Sequence, residues 1–527
     1  MVQEFLPEYR KSLTMGRSVG YYINRLVSNS GFTRNPEYRN FFYILGRIQI
    51  MYLEKTKPDK HNKTFLDSFF HLSENGTDVK TEVLAGITTF ITMAYIIFVN
   101  PNILMQAGMN AKGLMGDAAV KAGISAINDP VVASIFTATC IAAAVGTFVM
   151  ALYANLPFAQ APGMGLNAFF TYTVCLTLGY TWHQALAAVL VSGILFIIIT
   201  VTSIREKIVD SIPQNLKFAI SGGIGLFIAL IGLKSGGIIV ANPATLVGFG
   251  SFTNPHTLVT VIGITITAIL MSRQVKGSIL IGILLTTIIG IPFGITHLQG
   301  IKLISAPPSL APTLFSFDFK GLLGIGKAGI LGAFTSIIMV IITFSLVDLF
   351  DTIGTLVGTA QKANMLDENG KVKNMHKALL SDAVATTVGS FLGTSTVVTY
   401  VESTAGVSQG GRTGLTSFTT GVMFILAMFF SGLVGIVPSE ATAPALVIVG
   451  VLMMGAVKNI DFDDFTEALP AFLTIALMPF SYSIANGIAA GIIFYPIVKI
   501  VTGKYKEVHP IIYILAALFI LRFVLMP

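Results

Sequence analysis

Charged residues are the component that this sequence most lacks. Asp, Glu, Lys and Arg account for 11% of its 527 residues and 53% are hydrophobic, whereas a soluble domain carries roughly 25% charged residues. This composition excludes an ordinary soluble fold and indicates an all-α polytopic membrane protein. The net charge is +7, and its Lys and Arg residues collect in alternate loops. This distribution indicates membrane topology and gives no basis for a nucleic-acid partner.

Cysteine is also rare, and its two positions exclude several kinds of site. Cys140 and Cys175 both lie in apolar stretches, away from any CxxC or His ligand pattern. The sequence therefore predicts no disulfide framework, no metal site and no cofactor. It shows neither a nucleophile with a neighbouring base nor a metal cluster, so we do not expect an enzyme.

The sequence does contain a long series of apolar segments, each close to the roughly 20 residues that a helix needs to cross a bilayer. A first set of seven lies at 84–103, 132–153, 162–179, 183–203, 216–233, 257–272 and 276–293. A second set of seven lies at 329–352, 378–392, 396–412, 414–436, 441–457, 466–482 and 484–501. A further apolar stretch, 509–525, is either an extra span or an interfacial helix.

Positive charge is unevenly distributed between the loops. With the N-terminus in the cytoplasm, the inner loops hold Arg205, Lys207, Arg273, Lys276, Lys362, Lys371, Lys373, Lys377, Arg412, Lys458, Lys499, Lys504 and Lys506. The outer loops hold fewer, such as Lys112, Lys121, Lys234 and Lys302. Because cytoplasmic loops carry the excess of Lys and Arg, we expect a multi-pass protein of the cell membrane with a cytoplasmic N-terminus.

The two sets of spans resemble each other, which suggests an internal repeat. A proline followed by a small-residue span occurs both from Ser211 (SIPQNLKFAISGG) and from Gly435 (GIVPSEATAPALV). An odd number of spans inverts the second copy, and inverted repeats are typical of secondary transporters with a site at the midplane. Chance similarity between Gly/Ala-rich helices is the alternative explanation.

The third span of each set is irregular. In the first, LPFAQAPGMGLNAFF, Pro and Gly interrupt the helix ahead of Asn167. In the second, residues 394–401 are mostly β-branched or aromatic, which favours extended chain, and Ser403 and Thr404 are predicted to cap a helix beside Glu402. The pattern predicts a short extended segment followed by a half-helix in both spans, with two ordinary kinked helices as the alternative.

Both broken spans place a polar side chain at an equivalent point. Asn167 follows Pro157 by ten residues, and Glu402 follows Gly393 by nine. The N-termini of half-helices also direct backbone N–H groups toward a site. We expect these features to form a binding site for a planar ligand that has both donors and acceptors.

Two aspartates lie in an otherwise uncharged stretch. The 33 residues from 328 to 360 contain no charge except Asp348 and Asp351, and a spacing of i,i+3 puts them on one helical face. Because neighbouring carboxylates repel each other and burial disfavours ionisation, one of the pair is a candidate for proton coupling. A solvated helix end is the alternative, and Asp382 and Glu82 are interpreted as charges near span ends.

Four stretches together resemble the nucleobase–cation symporter-2 superfamily, and within it the AzgA-like adenine/guanine/hypoxanthine permeases. They read ENGTDVKTEVLAGITTFITMAYIIFVNP, AQAPGMGLNAFF, SLVDLFDTIGTLVG and TYVESTAGVSQGGRTGLTS. The resemblance covers residues 65–527. It implies fourteen transmembrane segments in two inverted seven-span repeats, with short strands in spans 3 and 10.

The resemblance also implies a division into a core and a gate domain. The core domain would comprise residues 80–203 (spans 1–4) and 329–436 (spans 8–11). The gate domain would comprise residues 204–293 (spans 5–7) and 437–527 (spans 12–14 with the C-terminal apolar stretch). Residues 1–64 would be an N-terminal extension, disordered or non-native, with Met51 as an alternative start.

Carried onto this sequence, the resemblance implies a substrate site in the core domain. Its expected residues are Asn167, Asp348, Asp351, Glu402 and Thr404. One of the two aspartates would exchange a proton and the other would contact the base, and their roles stay undivided. Aromatic side chains that could stack on the base are Phe169, Phe170 and Tyr400, for which core packing is the alternative.

The implied function is proton-coupled import of purine nucleobases, namely hypoxanthine, guanine or adenine, with sodium still open as the coupling ion. The implied partners are the base, the proton, membrane lipid and a second copy in a homodimer. Related proteins for uracil and xanthine carry a glutamate in span 8 where this chain reads DTIG, which favours the purine branch. The alternatives are a uracil/xanthine permease, or an anion transporter or channel of similar architecture.

Overall fold

The structure is a computed structural model that describes 64–126, 128–202, 211–296, 298, 304–322, part of 340–360, 365 and 372–525. The described residues between 340 and 360 exclude 342, 346, 350, 353, 354 and 357. Residues 69–527 form one compact unit, and of the other unit, residues 1–68, only 64–68 are described. The predicted N-terminal extension thus lies outside the described residues except at position 64.

Helices dominate the described part of the chain. In the first half they are α1 Phe65–Phe70, α2 Val79–Met93, α3 Ile96–Leu104, α4 Asp117–Lys121, α5 Pro130–Val149, α6 Met164–Ala168, α7 Trp182–Val201, α8 Gln214–Ser235, α9 Pro255–Ser272, α10 Ser278–Ile289 and α11 Phe319–Leu322. In the second half they are α12 Met375–Leu392, α13 Ser403–Ser408, α14 Gly414–Ala427, α15 Ser431–Ile436, α16 Ser439–Met454, α17 Phe465–Phe480, α18 Ile484–Val501 and α19 Pro510–Leu525.

Shorter elements extend or interrupt these helices. Two π-helical segments, Met150–Ala154 and Phe169–Thr177, continue α5 and α6, and 3₁₀ turns lie at Ser73–Asn75, Met428–Phe430, Gly455–Asn459 and Tyr505–Glu507. The described strands are β1 Gln160–Pro162, β2 Ile239–Asn242, β3 Leu246–Phe249 and β4 Val397–Thr399. They form two antiparallel pairs, β1 with β4 and β2 with β3.

Several helices are long and apolar enough to cross a bilayer. Within the described ranges there are eight: Val79–Leu104, Pro130–Ala154, Trp182–Val201, Gln214–Ser235, Pro255–Ser272, Gly414–Leu433, Ser439–Asn459 and Ile484–Val501. Three shorter apolar helices are Ser278–Ile289, Phe465–Phe480 and Pro510–Leu521. Each of these helices coincides with an apolar segment predicted from the sequence, so the chain is a multi-pass membrane protein. The total of fourteen spans stays a prediction.

The predicted eighth span, 329–352, falls largely outside the described residues. From residue 340 to residue 360 the described positions are helical. Both predicted aspartates belong to this helical part, Asp348 fully buried and Asp351 half-buried.

Local sequence explains where the helices of the first half begin. Asp78 caps α2 by accepting a hydrogen bond from the Thr81 backbone N–H at 2.9 Å, and Asp129 caps α5, where Pro130 occupies the first turn. Thr181 and Gln184 form a reciprocal capping box at the start of α7. Such caps satisfy N–H groups that have no partner inside the helix.

The two irregular spans contain the predicted strands. The first runs from β1 into α6, and the second from β4 into the short α13. Residues Gln160, Ala161 and Pro162 pair with Thr399, Val398 and Val397 in antiparallel register. The predicted extended segments are therefore present, and each supplies hydrogen-bond partners to the other, which non-helical backbone within a membrane protein requires.

Glycine allows a close helix contact outside these breaks, between α8 and α16. A Cβ atom on Gly225 would lie 2.7 Å from the Gly450 carbonyl oxygen, and one on Gly450 would lie 2.5 Å from the Gly225 carbonyl oxygen. Small residues permit such close backbone approach in membrane helices. The two glycines therefore fix α8 against α16.

Candidate functional site

The paired strands hold the two broken spans together at the centre of the site. Beyond the strand register, the Gly163 N–H donates to the Thr396 carbonyl at 2.9 Å, and the Tyr400 N–H donates to the Ala159 carbonyl at 3.0 Å. The half-helices that follow, α6 and α13, therefore start from a common two-stranded element. Asn167 lies in the half-helix that follows β1, and Glu402 lies at the start of the half-helix that follows β4.

Glu402 lies at the N-cap position of α13 and is half-buried. Its Oε1 atom accepts a hydrogen bond of 2.5 Å from the hydroxyl of Tyr95, a buried residue in the interruption between α2 and α3. Hydrogen bonds to a charged acceptor are short and roughly twice as strong as neutral ones. The first span thus contributes directly to the site.

The predicted capping of α13 by Ser403 and Thr404 is wrong. The backbone of Glu402 is already helical (φ −59°, ψ −20°), so the two hydroxyl residues lie inside the helix. The Ser403 hydroxyl accepts from the Ala159 N–H at 3.0 Å, and the Thr404 hydroxyl donates to the Val401 carbonyl at 2.8 Å. Ser403 therefore links α13 to the other broken span. The Thr404 hydroxyl instead bonds the backbone just before its own helix.

Asn167 is fully buried in α6. Its Oδ1 atom accepts a hydrogen bond from the hydroxyl of Ser395, just ahead of β4. Its Nδ2 group has no partner among the described residues. Because a buried polar group without a partner costs free energy, this amide donor is available for a ligand or water.

A second buried amide reaches the same segment. Asn100, in α3, donates through Nδ2 to the hydroxyls of Thr139 at 2.7 Å and Thr394 at 2.9 Å. Spans 1, 2, 3 and 10 thus meet around residues 394 and 395. Proline or any larger apolar residue there would remove the hydroxyls that hold the two amides.

The carboxylates of the second half also converge. Asp351 lies within electrostatic range of both Asp382 and Glu402. Asp382 is fully buried and accepts from the Thr352 hydroxyl at 2.8 Å. Asp348, one turn before Asp351, is also fully buried. The predicted pair is therefore part of a larger acidic cluster that includes Asp382.

This cluster is not arranged as a metal centre. Among the residues that the structure describes, no group of three or more His, Cys, Asp or Glu could hold a metal ion. The acidic side chains instead come from the helical stretch that holds Asp348 and Asp351, from α12 (Asp382) and from the start of α13 (Glu402).

Gln160, the first residue of β1, is the centre of a buried polar network. Its backbone N–H and carbonyl both bond the Thr147 hydroxyl, at 2.9 and 3.1 Å. Its side-chain amide donates to the Thr399 hydroxyl at 3.3 Å and accepts from the Ser381 hydroxyl at 3.3 Å. All four residues are buried, so this network rigidly joins the two broken spans to the second and ninth.

The predicted stacking residues have different surroundings. Phe169 packs edge-on against Phe344 with ring centroids 4.7 Å apart, and Phe170 is fully buried. Tyr400 donates its hydroxyl to the Pro162 carbonyl at 2.6 Å, and its ring lies 6.5 Å from that of Tyr95. Phe169 therefore packs against a neighbouring ring, while Tyr400 is fixed beside Glu402. A stacking role for any of the three stays a prediction.

Glu82 lies in the first turn of α2, as predicted, and it also contacts the second half of the chain. Its buried carboxylate accepts from the backbone N–H groups of Arg412 at 2.8 Å and Thr416 at 3.1 Å, and from the Thr416 hydroxyl at 2.6 Å. Arg412 in turn donates to the Val407 carbonyl at 2.7 Å. Glu82 thus holds the start of α14 and, through Arg412, the end of α13.

Sequence reasoning missed Tyr95 and Asp382 as site residues. Asp382 met the criterion applied to Asp348, a carboxylate inside an apolar segment, and could have been included. Tyr95 offered no such signal, because aromatic residues are common in apolar helices and its partner is 307 positions away.

Comparison with known proteins places the chain in a family. Residues 80–490 match the model of the permease family named Xan_ur_permease. The chain is 50% identical over 461 residues to the putative permease MJ0326 of Methanocaldococcus jannaschii, covering 87% of this chain and 98% of that protein. It is 43% identical to the adenine permease AdeP of Escherichia coli (87% and 96% covered) and 44% identical to the guanine/hypoxanthine permease PbuG of Bacillus subtilis (87% and 99%).

Solved structures share the fold at low sequence identity. The transmembrane domain of the cyanobacterial bicarbonate transporter BicA aligns with a TM-score of 0.54 at 15% identity, covering 78% of this chain and 97% of that domain. The murine anion transporter Slc26a9 in its inward-facing state aligns with a TM-score of 0.54 at 10% identity, covering 86% and 75%. The family match, the identities above 40% and the apolar helices together show that the chain belongs to the nucleobase–cation symporter-2 permease family, as a multi-pass transporter and not an enzyme.

Proposed function

We propose that this permease imports purine nucleobases, namely hypoxanthine, guanine or adenine, across the cell membrane by proton symport, as an AzgA-like member of its family. Relatives at 43–44% identity are named adenine permease and guanine/hypoxanthine permease. The observation that carries the proposal is that the paired strands join the two broken spans, with the unpartnered amide of Asn167 in one half-helix and the carboxylate of Glu402 at the start of the other.

The chemistry of these two side chains matches the edge of a purine. Purine edges present ring N–H donors beside carbonyl or ring-nitrogen acceptors. A carboxylate accepts from N–H groups, and the free Nδ2 group of Asn167 donates to an acceptor. In the proposed complex, Glu402 binds the N–H side of the base and Asn167 binds an acceptor, while Tyr400, Phe169 or Phe170 contacts the ring face.

Proton coupling is proposed to use the acidic cluster. Asp351 interacts electrostatically with Asp382 and Glu402, and carboxylates so placed repel one another when all are ionised. A proton taken up with the base relieves this repulsion. We assign the proton to Asp351 or Asp348 and assign contact with the base to the other. Thr404 is proposed to line the entrance, since its side chain is half-buried.

We further propose the fourteen-span arrangement of two inverted repeats, with the core and gate domains at the boundaries given above and a cytoplasmic N-terminus. The paired strands relate span 3 to span 10. The reciprocal contact of Gly225 with Gly450 relates α8 to α16, the spans that occupy position 5 of each proposed repeat. Both contacts support a two-fold relation between the halves. Assembly as a homodimer completes the proposal.

Uptake of radiolabelled hypoxanthine into cells that lack their own purine permeases tests the substrate. We expect Glu402→Gln to lower uptake about 10- to 100-fold, since a hydrogen bond to a charged group contributes about 1.5–3 kcal/mol. Glu440→Gln, which alters a glutamate bonded to His256 outside the proposed site, should transport normally at equal surface expression. Normal uptake by Glu402→Gln would refute the assignment.

Competition and reconstitution separate the remaining alternatives. Unlabelled adenine, guanine and hypoxanthine should compete, whereas preferential competition by uracil or xanthine would indicate the other branch of the family. In proteoliposomes, an imposed pH gradient, acid outside, should drive accumulation without sodium. Accumulation that requires a sodium gradient would identify sodium, not the proton, as the coupling ion. Competition by bicarbonate would favour an anion transporter.

A further inference from the structure

The long connection between α8 and α9 has no charge. Residues 235–255 include no Asp, Glu, Lys or Arg, while the connection 105–129 carries Lys112, Asp117, Lys121 and Asp129. Both connections lie on the same side of the membrane, since Lys234 at the end of α8 pairs with Asp117 at 3.5 Å. Contact with water alone does not explain the difference.

The uncharged connection is a well-formed β-hairpin. Strands β2 and β3 pair from Ile239 with Phe249 to Asn242 with Leu246. The Asn242 side chain closes the turn by accepting from the Ala244 and Thr245 N–H groups at 2.9 and 3.3 Å. A lone two-stranded hairpin is at best marginally stable in water, so this one needs support from its surroundings.

The base of the hairpin rests on α9. The Thr257 hydroxyl donates to the Gly237 carbonyl at 3.3 Å, and a Cβ atom on Gly236 would collide with Thr260. Of the eight long apolar helices in the described chain, α9 has the smallest buried share, 28%, against 44–72% for the others. The hairpin therefore continues the surface of the long apolar helix that has the smallest buried share.

The hairpin and the residues just after it present large apolar side chains along their length. Leu246 and Phe249 are 85% and 80% exposed, and Val247 and Phe252 are more than half exposed. Leu246 adopts φ +66°, a left-handed conformation for which Gly or Asn is the usual choice. A leucine at this turn position puts an apolar side chain outward despite the backbone strain.

We propose that residues 238–252 form a membrane-interface anchor, in which Leu246, Phe249 and Phe252 insert between the headgroups and acyl chains of the lipid. The depth is consistent, because the 22 residues of α8 extend about 33 Å and reach the edge of a core about 30 Å thick. Aromatic residues are enriched at this boundary. The anchor would fix the depth of α8 and α9, whatever substrate the protein carries.

Tryptophan fluorescence in vesicles tests this anchor. The chain has one tryptophan, Trp182, so Phe249→Trp and Phe252→Trp are each made in a Trp182→Phe background. Ala122→Trp, at an exposed position of the charged connection, is the matched control on the same side. Phosphatidylcholine brominated near the headgroup and aqueous acrylamide serve as the two quenchers.

We expect the ratio of lipid to acrylamide quenching to be several-fold higher at positions 249 and 252 than at position 122, with a blue-shifted emission maximum. Acrylamide quenching equal to that of the control would overturn the anchor. Protection from both quenchers would also overturn it, since it would indicate that another protein surface covers the hairpin. Using two separate tryptophan positions keeps the test decisive if one variant fails to fold.

Discussion

Two groups of buried charged residues in this permease differ in the sign of the charges that surround them. Around the broken spans, Asp351 lies within electrostatic range of both Asp382 and Glu402, and no Lys or Arg of the described chain pairs with Glu402 or Asp351. At the other end of the sequence, Lys499 is 2% exposed and pairs with Glu467 at 2.8 Å and Glu507 at 2.7 Å. Asp351 and Glu402 therefore lie near other carboxylates, whereas Lys499, Glu467 and Glu507 form a compensated group.

The compensated group of Lys499, Glu467 and Glu507 links several helices. Glu467 also accepts from Asn215 at 3.0 Å and from Tyr495 at 3.3 Å, so it connects the starts of α8 and α17 with α18. Buried ion pairs contribute to stability only when such added hydrogen bonds satisfy the remaining atoms. Asp351 and Glu402 have no such cationic partner in the described chain, which suits a site that must accept a proton or a donor-rich ligand.

The first prediction concerns the acidic cluster and has the largest expected effect. Asp351→Asn removes one negative charge, so the repulsion within the cluster falls and the thermal midpoint in detergent should not drop. Transport needs the carboxylate in our proposal, so uptake of hypoxanthine should fall about tenfold or more. Asp463→Asn, at an exposed position, is the control for both measurements. Loss of stability with normal uptake would make Asp351 a structural residue.

The second prediction reverses these outcomes in the compensated group. Glu467→Gln leaves Lys499 with Glu507 as its remaining carboxylate, and breaking one buried pair costs about 2 kcal/mol here, below the about 3–5 kcal/mol for a fully orphaned charge. The thermal midpoint should fall by a few degrees, while the apparent KM for the base stays unchanged. The buried, free thiols of Cys140 and Cys175 allow unfolding to be followed with a thiol-reactive dye. A changed KM at unchanged stability would show that the compensated group takes part in transport, contrary to the stabilising role proposed for it.

The third prediction refines the role of Tyr95. Tyr95→Phe removes the hydroxyl that holds Glu402 at 2.5 Å but keeps the buried ring. Losing one hydrogen bond that orients the carboxylate should raise the apparent KM roughly fivefold, corresponding to about 1 kcal/mol, with little change in the thermal midpoint. Tyr172→Phe, which removes a buried hydroxyl bonded to Gln106, is the control. An unchanged KM would show that Glu402 needs no orienting donor.

The sequence predicted the broken spans well because their cause is local. Pro157, Pro162 and Gly163 prevent a regular helix in one span, and β-branched residues ahead of Glu402 favour a strand in the other. The partners of these breaks were not predictable in the same way. Ser395 bonds Asn167 across 228 positions, and only the packed fold brings them together.

Failures of prediction followed the same rule. Thr404 was expected to cap a helix, but the cap position has helical backbone angles, which depend on how the chain leaves β4. The eighth span, central to the aspartates, lies partly outside the described residues, so its start at 329 stays a prediction. Charge patterning indicated Asp348 and Asp351 but not Asp382, whose burial depends on the Thr352 hydroxyl of a neighbouring helix.

The smallest expected effect is a pH dependence confined to the compensated region. Asp464 caps α17 and accepts from Lys504 at 2.8 Å and from the Thr466 N–H and hydroxyl at 2.8 and 2.7 Å. The Lys504 hydrogen bond, followed by those from Thr466, holds the pKa of Asp464 well below its usual range. A group with a lowered folded pKa stabilises the fold above its unfolded pKa of about 3.9, and this contribution is lost as the pH falls further.

The thermal midpoint, followed by intrinsic fluorescence, should therefore decline on acidification below about pH 4. The decline should be smaller in Asp464→Asn, which retains an N-cap side chain but cannot titrate. The effect should be modest because both partners are partly exposed, 31% for Asp464 and 40% for Lys504, and solvent screens such pairs. Identical acid profiles for the two proteins would show that titration of the Asp464–Lys504 pair makes no measurable contribution to stability.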